Sequence, residues 1–273
     1  MQNAPIGIFD SGIGGLTVAR AIHERLPHES TIYLGDTARV PYGPKSPETV
    51  RRYSREILAW LLAQGVKAVV VACNTATAHA LDDLRRSSPV PVIGVIEPGA
   101  RAAARESSRG TVGVIGTSGT IASGAYRRAL LQERPELAVL TQACPLLVPF
   151  VEEGWLDHPA TRLVVAEYLA PLKQGGIDAL VLGCTHYPLL KRLFAEELGP
   201  GVRLIDSADE TARELATTLA AAGLEAGRGT TQPVQRWAAT DDVDRFGRVG
   251  AVFMGEAPGA VELVSLESDP VFS

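Results

Sequence analysis

Two cysteines each stand where a buried-looking strand runs into a polar turn. In VVVACNTATA (69–78), Cys73 follows a run of β-formers and precedes Asn74, Thr75 and Thr77. In LVLGCTHYPLL (180–190), Cys184 holds the same place, and Thr185 and His186 follow. A thiolate is a competent base or nucleophile, and a helix N-terminus or a cation lowers its pKa. Each turn leads into a helical pattern whose first N–H groups stabilise negative charge. Those N–H groups, with Asn74, Thr75 and Thr185, are suited to hold a substrate carboxylate. Inversion of a stereocentre needs one acid–base group on each side of a carbon. One takes a proton from one face while the other delivers a proton to the opposite face. Forward and reverse reactions exchange these roles, so the two groups should be chemically alike, as two thiols are. A dehydrogenase or hydrolase has no need of the second thiol.

The elements that must position these thiols alternate along the chain. IGIF (6–9) reads as a strand, DSGIGG as a Gly-rich turn and LTVARAIHERL as a helix. TIYLGD (31–36), KAVVVA (67–72) and VPVIGVI (90–96) read as further strands. Between the first two of these, Ser46 is the expected N-cap of a helix with Pro47 at its first position. Val50, Tyr53, Ile57 and Leu61 fall on one face of that helix, and Gly65 ends it. TVGVIG (111–116), AVLTQA (138–143), IDALVLG (177–183) and RLIDS (203–207) continue the strand series, with helical patterns between them. Short apolar strands alternating with helices predict parallel sheet and the α/β class.

The order also repeats. IGIFDSGIGG (6–15) matches VGVIGTSGTI (112–121), VVVACNT (69–75) matches LVLGCTH (180–186), and VPVIGVIEP (90–98) matches VRLIDSADE (202–210). The expected architecture is two similar open, mostly parallel α/β domains related by pseudo-two-fold symmetry. The first, residues 1–97 closed by 207–273, carries Cys73; the second, 98–206, carries Cys184. A cysteine at the C-terminal end of a strand is where open α/β sheets bind ligands, so the crevice between the units has a thiol on each wall. Beyond about residue 228 the pattern changes. GRGTTQPV reads as a loop, and VQRWAAT, AVFMG and VELVSL as short β-like pieces adding edge structure to one unit.

Composition narrows the function classes. The 273 residues are 46% hydrophobic and 21% charged, as in an ordinary globular protein. A net charge of −5 with no basic cluster gives nucleic-acid binding no electrostatic support. No apolar run approaches the roughly 18 residues that span a bilayer. MQNAPIGIFD has neither a basic n-region nor a long apolar h-region, so no signal peptide is expected. The three cysteines include no C-x-x-C pair and are expected to be reduced cytoplasmic thiols.

FDSGIGGLTV, YLGDTARVPYG, ACNTATA and GCTHYPLL, in this order and spacing, resemble glutamate racemase, of the cofactor-independent aspartate/glutamate racemase superfamily. The similarity covers nearly the whole chain and loosens after about residue 228. The resemblance implies cytoplasmic interconversion of L- and D-glutamate without pyridoxal phosphate or metal, supplying D-glutamate for peptidoglycan. It makes Cys73 and Cys184 the two acid–base thiols, with Cys73 serving the D-enantiomer and Cys184 the L-enantiomer. Asp10 and Ser11, the segment Pro41, Tyr42 and Gly43, the pairs Asn74–Thr75 and Thr185–His186, and Thr117, Ser118 and Thr120 correspond to substrate-binding positions. Asp10 is suited to take the substrate ammonium or to assist Cys73, and His186 to assist Cys184. Asp36 and Glu152 match acidic catalytic positions. Family members are often homodimers, in varied arrangements.

Other readings stand beside this one. Cys144, in apolar ACPLLVPF, reads as a core hydrophobe. His79, on a helix, reads as structural. Cys73, Cys184 and His186 could hold zinc, but no dense ligand pair accompanies them. DSGIGG with Asp36 partly fits a dinucleotide fingerprint, except that Thr17 stands at the third glycine and Asp10 would face the phosphates. An aspartate racemase and a non-enzymatic amino-acid-binding protein are the remaining alternatives, and a binder has no use for opposed thiols.

Overall fold

The computed structural model of the chain describes residues 2–227 and 232–266. Its strands are β1 (Ile6–Asp10), β2 (Thr31–Gly35), β3 (Ala68–Val71), β4 (Val92–Gly94), β5 (Thr111–Gly116), β6 (Ala138–Ala143), β7 (Ala179–Gly183), β8 (Arg203–Ile205), β9 (Gln235–Ala239) and β10 (Val261–Leu263). The helices are α1 (Leu16–Arg25), α2 (Pro47–Ala63), α3 (Asn74–Ser87), α4 (Ile96–Glu106), α5 (Ser118–Ala122), α6 (Ala125–Glu133), α7 (Leu147–Glu152), α8 (Pro159–Gln174), α9 (Lys191–Leu198), α10 (Ser207–Ala222) and α11 (Val243–Met254). A 3₁₀ turn, Tyr187–Leu190, leads into α9.

The strands form two sheets, in the orders β10-β9-β2-β1-β3-β4 and β6-β5-β7-β8. Every pairing is parallel. Without β9 and β10 the two orders are the same topology, as the sequence repeat predicts. Parallel strands covered by helices on both faces must be apolar throughout, and β1, β3 and β7 are buried along their whole length. In each sheet the chain moves to one side of the central strand and then crosses to the other. This leaves a crevice at the C-terminal ends of β1 and β3, and another at those of β5 and β7. Cys73 follows β3 and Cys184 follows β7.

Local chemistry fixes the elements as expected in α2. Ser46 Oγ accepts the Thr49 N–H at 3.2 Å and Pro47 opens the helix. Val50, Ile57 and Leu61 are buried, Tyr53 is half-buried, and Gly65 at φ +73° provides the left-handed stop. α10 packs on both α1 and α4, tying the end of the second sheet's segment back to the first unit. Beneath the first sheet, buried Lys67 pairs with Glu29 and donates to the carbonyls of Gln2 (2.6 Å) and Leu224 (2.8 Å).

VQRWAAT and VELVSL supply β9 and β10, which extend the edge of the six-stranded sheet. AVFMG is corrected, because it forms the end of α11. Phe246, Gly250, Phe253 and Met254 are buried at helical spacing, and Asp242 caps the Arg245 N–H at 3.0 Å. Five residues are too short a window to reveal that period. Residues 228–231 of GRGTTQPV and residues 267–273 of the expected first domain lie outside the described residues.

Candidate active site

The turns that follow the strands of the two sheets abut one another. A Cβ at Gly14, after β1, would overlap Thr185 Oγ1 and the His186 ring, after β7. Thr75 Oγ1, at the start of α3, lies 2.9 Å from Thr117 Oγ1 and 3.2 Å from Thr120 Oγ1, at the start of α5. The Gly119 N–H donates to the Gly43 carbonyl at 2.9 Å. Tyr126, on α6, donates its hydroxyl to Asn74 Oδ1 at 2.7 Å, and its ring leaves no room for a Cβ at Gly183. One aromatic side chain therefore spans the residue after Cys73 and the residue before Cys184.

Cys73 is the N-cap of α3, and its sulfur accepts the Ala76 N–H at 3.4 Å. Its thiol donates to Ser11 Oγ at 3.6 Å. Burial, followed by the charge of Asp10, pushes the Cys73 thiol up to about 12, although the bonds from Ala76 and Ser11 oppose this. Asp10 is 1% exposed, and its Oδ2 accepts the N–H groups of Gly12 (3.3 Å) and Gly15 (3.0 Å). Among the described residues, neither its buried Oδ1 nor the buried Asn74 Nδ2 has a hydrogen-bond partner. Buried polar atoms are nearly always paired, so an acceptor and a donor with nothing to bind mark a place for a ligand.

The second wall is a relay. Cys184 Sγ lies 3.8 Å from His186 Nδ1, and His186 Nε2 lies 3.0 Å from Glu152 Oε1. Arg245 Nη2 reaches Glu152 Oε2 at 3.1 Å. Burial alone would lower the His186 pKa, but the contacts with Cys184 and Glu152 outweigh it and lift it to about 10. Burial likewise opposes ionisation of Glu152, yet His186 and Arg245 hold its carboxyl below the usual range. The contacts thus favour the doubly protonated ring beside the Cys184 sulfur.

Both thiols are nearly sealed, Cys73 at 5% and Cys184 at 6% exposed. A cavity of about 340 Å³ is lined by Pro41, Gly43, Thr117, Ser118 and Glu152 among others, and neither thiol reaches its lining. Asp36 stands further back. Its Oδ2 takes Arg39 Nε at 2.8 Å and the buried Tyr42 hydroxyl, and its Oδ1 takes Thr240 Oγ1 at 3.0 Å. Asp36 therefore supports the Pro41-Tyr42-Gly43 segment and reaches the site through Tyr42. With both oxygens of Asp36 held by protein, and with Thr185 and His186 filling the space over Gly14, the DSGIGG turn offers no dinucleotide cradle. Among the described residues, no group of three or more His, Cys, Asp or Glu is arranged to hold a metal ion. Cys144 is fully buried, and its thiol donates to the Gln142 carbonyl at 3.6 Å. His79 is half-buried on α3, where burial lowers its pKa. The sequence reading missed Tyr126 and Arg245. Each acts through a contact between distant segments, and neither has a local signal.

Fold and site together are those of an amino-acid racemase. The model of the Asp/Glu/hydantoin racemase family matches residues 15–215. A glutamate racemase of Geobacter metallireducens is 54% identical over 265 residues, which are 97% of each chain. The crystal structure of a Bacillus anthracis glutamate racemase isoform superposes with a TM-score of 0.93 at 44% identity, covering 97% of this chain and 99% of that one. A Francisella tularensis glutamate racemase in complex with D-glutamate gives a TM-score of 0.92 at 38% identity, covering 98% and 100%. The chain belongs to the Asp/Glu/hydantoin racemase family and, within it, to the glutamate racemases. Among the described residues no helix is long and apolar enough to cross a membrane.

Proposed function

We propose that this chain interconverts L- and D-glutamate without a cofactor, by proton transfer at Cα between Cys73 and Cys184. The observation that supports this reading is the contact between the turns of the two sheets, where a Cβ at Gly14 would strike Thr185 and His186, with Cys73 and Cys184 each buried at a matched strand end. The kinship with glutamate racemases supports the choice of substrate.

The unpartnered Asp10 Oδ1 suits the substrate ammonium, and the unpartnered Asn74 Nδ2 suits a carboxylate. Thr75, Thr117, Thr120 and Thr185, with Ser11, supply further hydrogen bonds around the guest. Pro41, Gly43 and Ser118 form its mouth, and buried Tyr42, held by Asp36, braces that segment from behind. Cys73 retains its proton in the empty site and acts first as acid. Cys184 lies beside His186, whose ring Glu152 holds in place. On the family resemblance, Cys184 serves L-glutamate and Cys73 serves D-glutamate. We place the division of the units at 1–97 with 207–273 against 98–206, a reading supported by which strands share a sheet. The setting is cytoplasmic supply of D-glutamate for peptidoglycan. The exposed Leu146, Trp155 and Leu163 offer apolar surface for a homodimer.

The test is incubation of L-glutamate with the protein in D₂O without added cofactor. The circular dichroism signal should decay to zero with one deuterium gained at Cα, and L-aspartate should remain unchanged. A constant L-glutamate signal with folded protein contradicts the proposal.

A further inference from the structure

Glu152 uses its two oxygens in opposite directions. Oε1 meets His186 Nε2 within its own unit, and Oε2 meets Arg245 Nη2 at 3.1 Å. Arg245 lies in the first turn of α11, between the edge strands β9 and β10 of the other sheet. Its place is set locally, because Asp242 caps its backbone N–H at 3.0 Å. Glu152 ends α7, and its side chain is 16% exposed, so it can turn away from His186 toward water. The groups facing this relay are few. Cys184 and Glu152 flank His186, Phe253 of α11 meets the ring edge-on at 5.3 Å, and Arg245 also approaches Glu153 at 3.8 Å.

We propose that Arg245 is a positioning residue for the Cys184 side of the reaction: by holding Glu152 Oε2 from across the cleft, it keeps Oε1 on His186 only while the two units are together. This rests on the reading of Cys184 as a racemase base. A charge-assisted bond fixes geometry as well as energy, and holding an assisting group in place contributes to the rate even without contact with substrate.

The test uses Arg245→Ala and Arg245→Lys in the full chain, with glutamate enantiomers carrying either protium or deuterium at Cα. Arg245→Ala should lower kcat about tenfold with less than about a twofold change in KM, within the range ascribed to assisted proton transfer. Slowing one of two proton transfers makes that step limiting. The deuterium isotope effect on kcat/KM should therefore rise for the enantiomer served by Cys184 and fall for its mirror image. Arg245→Lys should recover part of the loss. In a Glu152→Gln background, Arg245→Ala should add little, since residues acting through one contact are not additive. Isotope effects unchanged for both enantiomers overturn the proposal, as does full additivity with Glu152→Gln. Absence of racemisation in the wild-type protein, or full activity of Cys184→Ala, would instead overturn the assignment of Cys184.

Discussion

Tyr126 of the second unit donates its hydroxyl to Asn74 Oδ1 of the first, at 2.7 Å. The amide is thereby oriented with its Nδ2 buried and unpaired, directly after the thiol-bearing Cys73. Tyr126→Phe removes the bond and lets the amide rotate. Steady-state kinetics should show KM raised about 3- to 30-fold, the equivalent of roughly 0.7–2 kcal/mol for one hydrogen bond, with a smaller change in kcat. An unchanged KM would mean that Asn74 does not hold the substrate.

Asp10 combines a structural oxygen and an orphaned one. Asp10→Asn retains an acceptor for the Gly12 and Gly15 N–H groups while removing the charge. Activity should fall about 10²–10⁴-fold, and the melting temperature should move by no more than a few degrees. A large loss of stability with normal turnover would assign Asp10 to the loop alone.

Gly14 is required by close approach, because its φ is ordinary and a Cβ would meet Thr185 and His186. Gly14→Ala should hold the two units apart or displace the His186 ring. Thermal unfolding should register about 1–3 kcal/mol of overpacking cost, and kcat/KM should drop more than tenfold. Near-normal kinetics would show that the contact between the turns is dispensable.

The charged His186 links stability to pH. Its folded pKa, about 10, lies above the ordinary 6.5. Its contribution is therefore complete below about pH 6.5 and lost as the pH climbs through about 10. Glu152 has the opposite sign, because its lowered pKa stabilises above the ordinary carboxylate range and that support disappears on acidification. Denaturant unfolding of wild type and Glu152→Gln, followed from pH 5 to 10, should show the larger alkaline loss in wild type. Parallel curves would contradict the relay.

The thiol-bearing strand ends were legible because a buried parallel strand is a continuous apolar run and its end is abrupt. Cys73 and Cys184 close such runs in VVVAC and LVLGC. The repeat was legible too, since both units use one topology to place a turn at the crevice. Helix α11 was hidden in the tail because only its last residues, AVFMG, were read as a unit, and five residues cannot distinguish the two periods. Tyr126 and Arg245 were invisible for a different reason. A tyrosine in AYRRALL or an arginine after Asp244 looks like many others until folding sets it against a residue 52 or 93 positions away. Asp36 was found by its motif, but only the bonds to Tyr42, Arg39 and Thr240 reveal that it braces the segment beside the site.

The central claim is that one thiol on each wall serves the same carbon from opposite faces, one taking its proton and the other delivering a different one. Its most direct measurement is racemisation of L- and D-glutamate in D₂O by wild type, Cys73→Ala, Cys184→Ala and Cys144→Ala. Wild type and Cys144→Ala should drive either enantiomer to zero rotation with one deuterium gained, while Cys73→Ala and Cys184→Ala should each fail from both directions. Sustained inversion by either of the last two proteins would contradict the account.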